Sequence, residues 1–143
     1  MTPLARYAKA LSELTPDTVN ALAGLLSENA VFCDPFNRVT GRAVFLRIFE
    51  DMYGRLEDVS FEVHQLAETE QGGFIYWTFR GDSKLTGLLR IEGISRVVLD
   101  SEGRVTLHAD YWDASVLLER LPLLGRVIRR IRRKLALPES DSL

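Results

Sequence analysis

RVTLHADYWD, residues Arg104–Asp113, has the alternation of a closing β-strand. Side chains two apart on a strand share a face, so His108, Asp110 and Trp112 project together while Val105, Leu107, Ala109 and Tyr111 project the other way. Polarity taken alone turns the Val105 face inward and leaves His108 and Asp110 in solvent. The opposite orientation makes an imidazole, a carboxylate and an indole the wall of a pocket. The neighbouring segments decide between them.

Upstream, Asp100-Ser101-Glu102-Gly103 reads as a hairpin turn, with glycine where a positive φ is required, and pairs this strand antiparallel with Leu88–Leu99. On that strand Arg90, Glu92 and Arg96 fall on one face, and Ile91, Gly93, Ser95, Val97 and Leu99 on the other. Phe74–Arg80 is an aromatic-rich strand with Ile75, Trp77 and Phe79 on one side, preceded by a Gln71-Gly72-Gly73 turn. Val59, Phe61 and Val63 alternate with Ser60, Glu62 and His64, which makes a half-buried strand and His64 a surface histidine.

Before these four strands the period is helical. Thr2-Pro3 and Thr15-Pro16 each read as an N-cap followed by proline at the first helical position. The second helix carries Val19, Leu22, Leu25 and Leu26. A short strand, Ala30–Cys33, ends at Asp34-Pro35, where proline holds Asp34 in extended backbone. A third helix opens at Gly41 with the apolar stripe Phe45, Ile48, Phe49, Met52 and Leu56. Three N-terminal helices followed by a meander of strands predict an α+β domain, the helices packed on one face of a curved, mainly antiparallel sheet.

The 143 residues suffice for one domain with a substantial core, and 46% hydrophobic with 27% charged residues is the composition of a soluble globular chain. No apolar run reaches the roughly 20 residues that span a bilayer, and MTPLARYAKALSEL lacks the continuous apolar core of a secretion signal, so a cytoplasmic location is the expectation. The single Cys33 suits a reducing compartment and reads as core filler. Net charge is −2, but Arg120–Lys134 holds seven of the eighteen basic residues and no acid, leaving eleven bases against twenty acids elsewhere. The chain divides accordingly into a domain at 1–113 and a basic amphipathic helical extension at 114–143. In the extension Leu117, Leu121, Leu124, Ile128, Ile131 and Leu135 form one stripe, interrupted at Pro122, among arginines. That helix either packs its stripe on the domain or on a partner subunit, or lies on an anionic membrane surface through residues 120–135. Nucleic acid is not expected as a partner, because the tail lacks the interleaved aromatics that stack bases.

Asp34-Pro35-Phe36 with Gly41, Phe45 and Ile48, and the block Ile94–Trp112 with its Asp-Ser-Glu-Gly-Arg turn, resemble the SnoaL-like and steroid Δ-isomerase branch of the NTF2-like superfamily over residues 1–113. The resemblance implies a cystatin-like cone with a deep, mostly apolar cavity, and it turns the His108, Asp110 and Trp112 face inward. The outer face, with Val105, Leu107, Ala109 and Tyr111, is then expected to carry a homodimer contact. In the steroid isomerases an aspartate base works against an oxyanion hole of a tyrosine and a protonated aspartic acid. The resemblance places the base at Asp34 and the tyrosine at Tyr7. Ser95 stands where the aspartic acid is expected and is a weaker donor to an enolate oxygen.

The candidate catalytic residues are thus Asp34, His108 and Asp110, with Tyr7, Trp77, Ser95 and Trp112 as substrate-binding groups. Carboxylates beside a histidine in an apolar pocket can divide acid and base roles, which suits enolisation, cyclisation or elimination on a hydrophobic carbonyl compound without a cofactor. The same groups would serve a non-catalytic protein that binds a lipid-like ligand or acts in assembly. No Gly-rich phosphate loop, nucleophile elbow or zinc-ligand spacing is present in the sequence, so neither a metal nor a nucleotide cofactor is expected. The superfamily's epoxide-hydrolase arrangement needs an inward arginine, for which Arg80 is the one candidate, Arg90 and Arg96 falling on the wrong face.

Overall fold

A computed structural model describes residues 1–141. The first helix, α1 (Pro3–Ser12), starts as the sequence predicts: Thr2 Oγ1 accepts from Ala5 N at 3.1 Å, and Pro3 sits where a missing N–H leaves nothing unpaired. Its Leu4, Tyr7, Ala8 and Leu11 are buried, the 3.6-residue spacing of a face turned to the core.

The second helix is a short 3-10 helix, Val19–Leu25, and not an α-helix from Pro16. Thr15 and Thr18 close a local turn instead, with Thr18 Oγ1 accepting from Thr15 N at 2.9 Å and Thr18 N donating to Thr15 O at 3.0 Å. Leu26 leaves the helix to open β1 (Leu26–Cys33), where it pairs with Val105. A short β2 (Arg38–Thr40), not foreseen in the sequence, folds back antiparallel on β1. The next helix, α2 (Arg42–Arg55), buries Phe45, Leu46 and Phe49, each phenyl ring contributing about 1.5–3 kcal/mol. Phe45 and Phe49 meet Phe32 of β1 edge-on, at centroid distances of 5.3 and 5.9 Å.

The long strands follow: β3 (Glu57–Thr69), β4 (Gly72–Ser83), β5 (Gly87–Leu99) and β6 (Val105–Trp112). They form an antiparallel meander as predicted, and the sheet order is β2-β1-β6-β5-β4-β3. The sheet is mixed, since β1 runs parallel to β6 and so brings the start of the chain against its last strand. The turn before β6 has Gly103 at φ 78°, as its sequence requires.

A bulge alters the expected phase of β6. Val98 pairs with Leu107 but Leu99 pairs with Val105, so Thr106 is skipped. Val105 therefore turns inward and is 1% exposed, a core residue and not part of the outer face. The outer apolar surface is instead Ile94 (44% exposed) and Tyr111 (59%), cross-strand neighbours, with Phe74 nearby on β4. After β6 the extension is two helices, α3 (Ala114–Leu118) and α4 (Leu124–Leu135), separated before and after Pro122, with Leu123 at φ 64°. Val116 packs against the core. Among the described residues no helix is long and apolar enough to cross a membrane.

Candidate functional site

His108 is inward and 3% exposed, against the pattern its local polarity suggests. Three rings from distant segments enclose it: Tyr7 at 5.7 Å, Phe32 at 5.1 Å and Phe45 at 5.9 Å between centroids. Burial of an imidazole is tolerated when both nitrogens are paired. Here Nδ1 lies 2.7 Å from Tyr7 Oη and Nε2 lies 2.6 Å from Asp110 Oδ1.

The direction of these bonds follows from Asp110, whose carboxylate can only accept. Burial, and then the negative charge of Asp110, push the Tyr7 hydroxyl well above the ordinary phenol range, so it keeps its proton. Nε2–H of the imidazole donates to Asp110 Oδ1, which leaves Nδ1 to accept from the Tyr7 hydroxyl. A second chain arrives from the other side: Trp77 Nε1 donates to Ser95 Oγ at 2.8 Å, and Ser95 Oγ donates to Asp110 Oδ1 at 2.5 Å. Ser95 Oγ also lies 3.3 Å from His108 Nε2. Two donor chains thus converge on one carboxylate oxygen. Among the described residues no side chain donates to its partner, Oδ2.

Local sequence makes this possible at Gly93. It sits between Trp77 of β4 and Trp112 of β6, and a Cβ there would collide with the six-membered ring of Trp77. Without that side chain the indole lies across β5 and reaches Ser95.

Asp110, whose side chain is 11% exposed, opens onto a pocket of about 400 Å³ between α2 and the sheet. Trp77, Trp112, Phe49, Phe61, Phe79 and Ile91 give it mostly apolar walls, and Leu117 of α3 joins them. Of these, Phe61, Phe79 and Ile91 share the inward strand phase already assigned to Trp77 and Ser95, so their place was legible. Nothing in the tail's stripe distinguishes Leu117 from its neighbours.

Asp34 is placed differently. It borders the pocket, but its carboxylate accepts from its own turn: Oδ1 from Phe36 N at 2.8 Å, Asn37 N at 2.6 Å and Asn37 Nδ2 at 3.2 Å, and Oδ2 from Asn37 Nδ2 at 3.3 Å. These bonds shape the link from β1 to β2. The structure brings Tyr7, Trp77, Ser95, His108 and Asp110 into one network, with Trp112 on the wall and Asp34 at the rim. Arg80 lies outside, 3.1 Å from Glu62. On that same outer face His64 Nε2 meets the Thr78 hydroxyl at 2.7 Å.

A SnoaL-like domain model matches residues 4–108. Among solved structures, the chain is similar to a hypothetical protein with a ketosteroid isomerase-like fold from Catenulispora acidiphila DSM 44928, in complex with trimethylamine. That pair is 19% identical, with TM-score 0.70 over 86% of this chain and 95% of the other. A protein from Jannaschia sp. CCS1 bearing the name SnoaL-like polyketide cyclase superposes with TM-score 0.74 at 7% identity, over 85% of this chain and 92% of the other. The epoxide hydrolase/cyclase-like enzyme SalBIII, of pyran ring formation in the polyether salinomycin, gives TM-score 0.64 at 19% identity over 78% and 88%. At these identities the neighbours show the fold alone. No curated protein matches the chain.

Proposed function

The chain belongs to the SnoaL-like domain family, and from that premise we propose that it is a cofactor-independent acid-base enzyme, isomerase- or cyclase-like, acting on a hydrophobic carbonyl compound. The observation that carries this reading is the asymmetry of Asp110, a residue of the pocket wall: Oδ1 is held by His108 and Ser95, while no side chain among the described residues donates to Oδ2.

A carboxylate fixed in that way is a positioned base. Oδ2 takes the proton from the carbon beside the substrate carbonyl, the C–H electron pair moves into an enolate, and the proton returns at another carbon or the enolate carbon attacks within the same molecule. His108 and Tyr7 do not need to change charge for this. Their part is to hold the carboxylate's orientation and to stabilise its ionised form through charge-assisted hydrogen bonds. Trp77 and Trp112 supply flat walls for a hydrophobic guest. Trp112, whose indole N–H has no acceptor among the described residues, is one donor of the pocket wall for the carbonyl oxygen, with Asn37, Arg55, Ser83 and Thr86 as others. Named neighbours in this fold include polyketide cyclases and a cyclase-like enzyme, which supports the reaction class.

The second reading, non-catalytic binding of a lipid-like ligand, has its own support. Asp34, where the family resemblance places the base, is engaged by its own turn. Incubating the protein in D2O with a panel of hydrophobic ketones separates the two. Enzyme-dependent deuterium incorporation beside the carbonyl supports acid-base catalysis, whereas quenching of the tryptophans by a ketone with no incorporation leaves ligand binding alone.

A further inference from the structure

The α4 helix, LGRVIRRIRRKL, packs against α3 by an unexpected face. At 100° per residue, Leu124, Val127, Ile128, Ile131 and Leu135 fall within an arc of roughly 100°, and the six cations fill the remainder. The contact is with α3 and its ends, and it leaves most of the arc and most of the cations outside. It uses Gly125, the buried residue of this helix, where a Cβ would strike the Glu119 carbonyl. It also uses Arg132, which bonds the Ser115 hydroxyl, pairs with Glu119 at 2.8 Å and lies 3.7 Å from Asp113.

The apolar arc is consequently bare but for Ile128, which is half-buried. Leu124 is 40% exposed, Val127 53%, Ile131 48% and Leu135 83%. Lys134 and Arg130 border one edge of the arc and Arg126 and Arg133 lie opposite it; none of the four has a carboxylate within 4.0 Å among the described residues, and Arg129 reaches only the Glu119 carbonyl, at 3.3 Å. The rest of the chain has twenty acids against eleven bases, so those cations stand unneutralised on an otherwise acidic protein. An arc of aliphatic side chains with free Arg130 and Lys134 along one edge matches the depth profile of a lipid surface. The aliphatic groups enter the acyl boundary while the arginine stems lie along it with their guanidinium groups at the phosphates.

We propose that α4 seats this protein on an anionic lipid surface, its Leu124–Leu135 arc inserted and its arginines paired with lipid phosphates. The attachment has a consequence for the pocket. Arg132 ties α4 to both ends of α3, and α3 supplies Leu117 to the pocket wall. Seating α4 therefore brings the wall of the pocket near the bilayer, from which a hydrophobic guest can enter. The docking itself does not depend on the acid-base reading.

Flotation of the full chain with phosphatidylcholine vesicles, with and without 30% phosphatidylglycerol, tests this directly. Recovery with the anionic vesicles at low salt is expected, falling several-fold at 0.5 M salt as the Debye length shrinks. Val127→Glu/Ile131→Glu is expected to abolish recovery, and each cation removed by Arg130→Ala or Lys134→Ala to weaken partitioning about fivefold. These side chains are exposed, and an unchanged circular dichroism melt shows that the variants fold. No recovery on anionic vesicles at low salt overturns the proposal, as does equal recovery on neutral ones. A wild-type dimer that Val127→Glu/Ile131→Glu converts to monomer without lipid also overturns it, because the arc would then be covered by a second copy.

Discussion

Tyr7 Oη on the first helix lies 2.7 Å from His108 Nδ1 on the last strand, 101 residues further along the chain. Asp110 accepts a hydrogen bond from Nε2–H of that imidazole, and the Tyr7 hydroxyl, which keeps its proton, supplies the donor that Nδ1 then needs. Tyr7→Phe retains the ring but leaves a buried nitrogen without a donor, at a cost of about 1–3 kcal/mol. Denaturant unfolding measures that loss. Nitrogen NMR of His108 is expected to show Nε2–H in both proteins, held by Asp110, with the Nδ1 resonance shifted in the variant by loss of its donor.

The same tyrosine sets a limit at alkaline pH. Burial and Asp110 raise its folded-state pKa above that of the unfolded chain, so the stability it confers is complete below about pH 10 and is lost as pH rises through the folded value. Between the two, stability falls by about 1.4 kcal/mol per pH unit for this group. Tyr53, also raised by burial, adds in the same direction. Comparing the wild type with Tyr7→Phe isolates the Tyr7 share, and the variant is expected to show the shallower alkaline slope.

Gly93→Ala tests how the Trp77 indole is placed. The added methyl meets the ring, and overpacking of this kind costs about 1–3 kcal/mol. Displacing Trp77 breaks its bond to Ser95, so tryptophan emission is expected to shift along with the melting temperature. An unchanged spectrum and melt would mean that the ring does not rest on β5.

Ile94 and Tyr111, opposite one another on the outer face, are the expected centre of a homodimer contact. Tyr111→Glu is then expected to sediment as a monomer with its fold intact. A wild-type monomer at high concentration would remove this contact from the account.

Much of this arrangement was legible in the chain, and the failures have local causes. Period-two alternation gave β3 to β6 and the inward phase of Trp77 and Ser95, because both faces of those strands differ in polarity. On β6 the polarity pointed the wrong way. His108 is buried because Tyr7 and Phe32, distant in sequence, satisfy and enclose it, which no local window contains. Only the family resemblance turned that face inward. Val105 was misassigned because the alternation carries no mark of the bulge at Thr106. The helix expected from Pro16 gave way to a threonine turn and to Leu26 pairing with Val105, a tertiary demand that outweighs helical spacing. Asp34 was read from the resemblance, while Asn37, three residues on, binds its carboxylate.

Deuterium incorporation into a hydrophobic ketone, compared across the wild type, Asp110→Asn and Asp34→Asn, is the measurement closest to the central claim. Asp110→Asn preserves shape and removes the base, so incorporation is expected to fall by about 10²–10⁴-fold while tryptophan quenching by the ketone persists. Asp34→Asn is expected to stay within about tenfold of the wild type, since its carboxylate serves the turn. Incorporation that survives in Asp110→Asn and disappears in Asp34→Asn would contradict the assignment and return the base to the rim.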